Sequence, residues 1–261
     1  MRSSSNPALT RSPAFSGRSV GFGTRPQTLD PVEQAYYGPT ATSADTGRMT
    51  VEDVVIRTAI LLGLALATGA ATWFLGLQAL AFPAALVGLV LGLVISFKQL
   101  TNPAVIMTYA AVEGVFLGGI SKVFDERYNG IVVQAIAGTI SVTAVMLALY
   151  SSGKIRVTPQ FTKMVIGATM GFFVLIMVNL VASFFHPGGL GLRGGGLGLI
   201  ISVVAIGLAA LNLVLDFDLV VKGAQNGLPE RYGWFSAFAL MVTLVWLYIE
   251  ILRLLANLRD R

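Results

Sequence analysis

Apolar residues fill this chain in seven stretches, about 54–76, 79–98, 103–124, 130–151, 161–185, 197–222 and 233–256. Each is close to the roughly 20 residues that a helix needs to cross a bilayer. The polar breaks between them have physical causes. Thr101-Asn102-Pro103 opens the third stretch, and Asp125-Glu126-Arg127-Tyr128-Asn129-Gly130 is a polar turn. Ser151-Ser152-Gly153-Lys154-Ile155-Arg156 ends the fourth, and Pro229-Glu230-Arg231 divides the sixth from the seventh. Pro187 to Gly198 is so rich in glycine that it reads as a flexible loop. The pattern predicts an all-α polytopic membrane protein, a bundle of seven transmembrane helices over residues 51–261. Residues 1–50 hold no sustained apolar run and are rich in Ser, Arg, Pro, Gly and Thr. They read as a disordered basic tail, and no apolar core of a signal peptide follows the early arginines.

Composition agrees. The chain is 55% hydrophobic and 12% charged, about half the charge of a soluble domain. Its net charge of +5 lies in tails and loops, a placement that fits a lipid bilayer and not nucleic acid. There is no cysteine and one histidine, His186, so thiolate and multi-histidine metal sites are excluded. With the N-terminus cytoplasmic, the inner loops carry Lys98, Lys154, Arg156, Lys163, Lys222 and Arg231, against Lys122, Arg127 and Arg193 outside. That asymmetry favours a cytoplasmic N-terminus. Seven spans then put Arg253, Arg259 and Arg261 outside, against the rule.

Four acids fall inside spans: Glu113, Asp216, Asp218 and Glu250. A carboxylate at membrane depth costs about 2.5 to 3.5 kcal/mol on insertion scales, so each needs a partner, water, a proton or a cation. Glu250 stands three residues before Arg253 and Asp218 four before Lys222, so local ion pairs account for both. Asp216 lies roughly 9 Å from the inner end of span six and Glu113 roughly 15 Å from that of span three. Asn212 shares the face of Asp216, one turn before it. Asp216, Glu113, Asn212 and the Thr243 hydroxyl offer oxygen ligands of the kind calcium takes, too few for tight binding and suited to permeation. Asp216 is placed to exchange a proton for a cation. No cofactor is implied.

The pairs Gly88/Gly92, Gly114/Gly118 and Gly167/Gly171 have the spacing that lets helix backbones approach in membranes. Metalloprotease, nucleophile-elbow and phosphate-loop motifs are missing. Asp216-Phe217-Asp218 lacks the second aspartate on another span that an intramembrane aspartyl protease needs. The chain is not expected to be an enzyme.

Val112-Glu113-Gly114, then Asp216 at the inner end of span six, then Leu247-Tyr248-Ile249-Glu250-Ile251-Leu252-Arg253-Leu254-Leu255 resemble, in that order, the Bax inhibitor-1 family of transmembrane proteins. The likeness covers about residues 50–258, and Arg2-Ser3-Ser4-Ser5-Asn6-Pro7 resembles a bacterial branch. The resemblance implies a bundle with the last helix central, in a bacterial plasma membrane. It also implies a pH-sensitive calcium leak gated by two aspartates, on spans six and seven, that share a proton. Asp216 matches the first. The second falls on Thr243, in Leu240-Met241-Val242-Thr243-Leu244, so the resemblance implies weaker pH gating here, with Glu113 as the remaining second carboxylate. Some members are associated with membrane proteases or stress survival, which implies a competing role as a non-transporting regulator that binds membrane proteins.

Overall fold

The computed structural model describes residues 47–186, 189–192 and 195–260. Most of the tail 1–50, together with Arg193 and Arg261, lies outside the described residues.

Among the described residues seven α-helices follow one another: α1 (Val51–Phe74), α2 (Ala81–Lys98), α3 (Pro103–Arg127), α4 (Ile131–Ser151), α5 (Pro159–Phe185), α6 (Gly195–Gln225) and α7 (Tyr232–Arg259). A 3-10 turn, Gln78–Leu80, leads into α2. All seven are long and apolar enough to cross a membrane. Their starts are set locally. Thr50 caps α1 by accepting from the Asp53 N–H, while the Asp53 carboxylate accepts from the Thr50 N–H. Asn102 and Thr158 cap α3 and α5, each followed by a proline in the first turn. The turn before α4 is closed by the Asp125 carboxylate, which accepts from the Gly130 N–H at 2.9 Å. Within the spans, Thr58, Thr72, Thr139 and Thr143 donate to the carbonyl four residues earlier, so their hydroxyls are satisfied without leaving the helix.

The last helix is central, as the resemblance implies. α7 packs on α6, α1, α4 and α3 and is the most buried of the seven. Leu61, Ile106, Ile131, Leu213, Met241, Leu247 and Leu252 fill the space around it. The peripheral helices α2 and α5 pack chiefly on α3 and α6 and turn most of their apolar surface outward, toward lipid.

The glycine pairs divide into three kinds, which corrects the expectation that all of them bring backbones together. Gly114 and Gly118 do so: a Cβ at Gly114 would meet Thr68 and the Ala65 backbone, and one at Gly118 the backbone of Gly69. This seam joins α3 to α1. Gly88 and Gly92 instead make room for side chains of α3, with the Glu113 carboxylate at 2.8 Å and the Tyr109 ring at 3.3 Å from where a Cβ would stand. Gly167 and Gly171 have nothing within 4 Å.

Both ends of the bundle are fastened. At one end the Met49 N–H donates to Leu228 O at 2.7 Å and the Glu230 N–H to Gly47 O at 3.0 Å, joining the start of α1 to the α6–α7 turn. At the other, Arg127 and Tyr128 bind Asp260, and Arg259 donates to Asn129 O and to Gln134. The C-terminal arginines that oppose the charge rule are thus held locally: Arg259 by these acceptors, and Arg253 by Glu250.

Candidate ion and proton site

α6 carries Asp216 toward α7, and the two helices form an antiparallel hairpin. There the Thr243 hydroxyl donates to Asp216 Oδ2 at 2.6 Å, with the Ala239 carbonyl at 3.3 Å as its other acceptor. Thr243 is buried and Asp216 partly so. A hydroxyl can donate to a carboxylate, but it cannot share a titrating proton with it. The site therefore holds one acid and one neutral donor. The contact crosses 27 residues of sequence and joins the two positions where the resemblance places the gating pair.

The other acids go elsewhere. Glu113 is buried at 8% exposure, and its carboxylate lies over Gly88 of α2. Tyr109, one turn earlier, engages it and in turn meets the Phe238 ring of α7 edge-on at 4.9 Å. Glu113 and Asp216 are thus directed to different helix pairs, α2–α3 and α6–α7, because the glycine that makes room for Glu113 is on α2. Asn212 does not join Asp216 either. Its amide donates to Thr169 Oγ1 of α5 and to Leu208 O, both at 2.8 Å, which turns it away from α7. Asp218 pairs with Lys222 at 2.5 Å and accepts from Tyr150 of α4 at 3.5 Å. Glu250 pairs with Arg253 at 2.9 Å, with Glu250 buried and Arg253 partly exposed beyond it. Among the described residues no cluster of three acids or histidines could hold a metal ion.

Two polar contacts join residues whose pairing the sequence does not show. Ser121 of α3 and Tyr248 of α7 share a hydrogen bond at 2.6 Å. Arg57 of α1 forms an ion pair with Glu230 in the α6–α7 turn. An arginine inside the first apolar stretch is the one hint that the second exists. A cavity of about 310 Å³ lies between the far ends of α3 and α7, lined by residues including Arg127, Tyr128, Arg253 and Asn257, well away from Asp216.

A family profile described as Bax inhibitor 1 like matches residues 6–260, nearly the whole chain. No curated protein matches it.

Proposed function

We propose, from the premise that the chain belongs to the Bax inhibitor 1 like family, that this multi-pass membrane protein is a cation leak or proton-linked transporter, with calcium the expected ion. Asp216 is its ion and proton site. The single observation that carries the reading is the Thr243-to-Asp216 hydrogen bond at 2.6 Å in the contact between α6 and the central helix. An acid at that depth is costly and is kept for a reason. Its neighbour is a neutral hydroxyl, so among the described residues no fixed cation cancels its charge. Ionisable groups on the helices packed against α6 are already engaged or exposed. Tyr150 of α4 and Lys222 go to Asp218, Glu250 of α7 to Arg253 and Arg57 of α1 to Glu230, while Lys163 of α5 is exposed. Asp216 is thus left to a proton or a permeant cation. The ionised form attracts the cation, so flux rises with pH. With one carboxylate in place of two, the rise is a single one-proton step without the second that a pair would add. No catalytic step or cofactor belongs to this reading. The Lys and Arg distribution favours a cytoplasmic N-terminus, and the resemblance to the bacterial branch implies a bacterial plasma membrane.

A second reading is a regulator that binds other membrane proteins, such as a protease. The observation in its favour is the open face at Gly167 and Gly171 of α5. Two variants separate the readings. For a transporter, Asp216→Asn removes most calcium flux in liposomes, and enlarging Gly171 to Leu leaves flux intact. For a regulator, partner capture fails in Gly171→Leu and survives in Asp216→Asn. Full flux in Asp216→Asn rules out the transporter reading as stated.

A further inference from the structure

The segment just before α1 does more than enter the membrane. Met49, 2% exposed, stands between the two helices of the hairpin that bears the site. Its Cε would lie 2.6 Å from a Cβ on Gly223 of α6, and its sulfur accepts from the Ser236 hydroxyl of α7 at 3.7 Å. Eight residues later in the chain, Arg57 holds the start of α7 with three contacts. It pairs with the Glu230 carboxylate, donates to Glu230 O at 2.6 Å and lies 5.3 Å from the centre of the Trp234 ring. Its side chain is 11% exposed, and Gly233 gives it space, since a Cβ there would collide with the guanidinium. A planar, forked and stacked cation of this kind fixes orientation as well as distance.

We propose that Arg57, seated above the Met49 wedge, is a positioning residue for the Asp216–Thr243 contact: the start of α1 sets the register of α6 against α7. The inference rests on the transport reading for its function but on helix geometry for its substance. Asp216 stands roughly 14 Å from the end of α6 at Gln225, and Thr243 roughly 16 Å from the start of α7 at Tyr232, from the rise per residue. The two heights match only while the turn between them is held. A slip of one residue carries Thr243 about 1.5 Å along its axis and about 100° around it, out of reach of Asp216. Arg57 touches neither site residue, and residues so far apart are energetically independent unless a shared element couples them.

The chain has no cysteine, so Leu219→Cys on α6 and Val242→Cys on α7 place two spin labels on exposed positions beside the site. The parent should give one narrow distance. Arg57→Met should shift or broaden it by about 2 Å, the scale of helix shifts. Glu230→Gln, which keeps the carbonyl acceptor, should move it the same way by less. In liposomes, Thr243→Val should then change calcium flux by a smaller factor in the Arg57→Met background than in the parent. An unchanged distance in folded Arg57→Met, or in Glu230→Gln and Arg57→Lys if that variant does not fold, overturns the proposal. So does a moved distance with the same Thr243→Val factor in both backgrounds. If parent liposomes carry no flux, the transport reading falls, and the label distance alone decides whether Arg57 sets the register.

Discussion

Gly118→Leu is expected to leave no folded protein. A side chain at this position would enter the backbone of Gly69 on α1, and neither helix can yield by a rotamer change. The cost should exceed the about 1–3 kcal/mol of ordinary overpacking, because backbone and not side chain must move. The seam matters beyond its own contacts. α3 is the chief support of α2, and α1 packs on α7, so parting α1 from α3 leaves α2–α3 held to the centre only by the smaller contacts of α3 with α7 and α4. In a membrane such close approach replaces the hydrophobic drive that lipid removes. Gly114→Leu should behave alike, since it would meet Ala65 and Thr68. Gly171→Leu, with nothing within 4 Å, should leave stability unchanged. Size-exclusion elution and thermal aggregation in one detergent check all three. A Gly118→Leu protein as stable as its parent would mean that α1 and α3 are not in backbone contact.

Thr243→Asp is expected to move the response to pH upward and to split it in two. The Thr243 hydroxyl is 2.6 Å from Asp216 Oδ2, so a carboxyl group built there stands at hydrogen-bond distance from the first. Two such acids do not both ionise readily, and they titrate as a pair. The added acid should hold a shared proton, so the pH of half-maximal flux moves up by about one unit. The transition should also separate into two steps where the parent has a single gradual one. Thr243→Val gives the converse. It removes the donor and leaves Asp216 without its partner, a loss of about 1–3 kcal/mol for a buried group. A Thr243→Asp profile that overlays the parent would show that position 243 does not face the ion path.

The span count was legible because hydropathy over some 20 residues needs no partner. The ends were less so. α6 runs from Gly195 to Gln225, three residues beyond the expected stretch at its far end. Lys222 is kept in the helix by its pair with Asp218, and a tight turn comes only at Gly227, with φ +67°. Among the glycine pairs, spacing alone could not separate the α1–α3 seam from the room made for Glu113 or the open face of α5. All three have the same sequence pattern, and only the neighbouring helix differs. Asp216 was legible as an acid at depth. Thr243 was grouped with Asp216 as an oxygen ligand, and the family resemblance set the two positions opposite each other, although a threonine in an apolar helix otherwise reads as bonded to its own backbone. Asn212 shares a face with Asp216 by spacing, yet its amide turns to Thr169, because i,i+4 spacing fixes a face and not a rotamer. Arg57 escaped notice as a partner because Glu230 is 173 residues away.

Calcium flux into liposomes at a series of values from about pH 6 to about pH 8, where a carboxylate held in low dielectric is expected to titrate, tests the central claim most directly. The parent and Asp216→Asn should be measured side by side, with empty liposomes as the baseline. The account predicts flux in the parent that rises with pH, and low flux without pH dependence in Asp216→Asn. A variant that titrates like its parent, or a folded parent with no flux above empty liposomes at any pH, would contradict it.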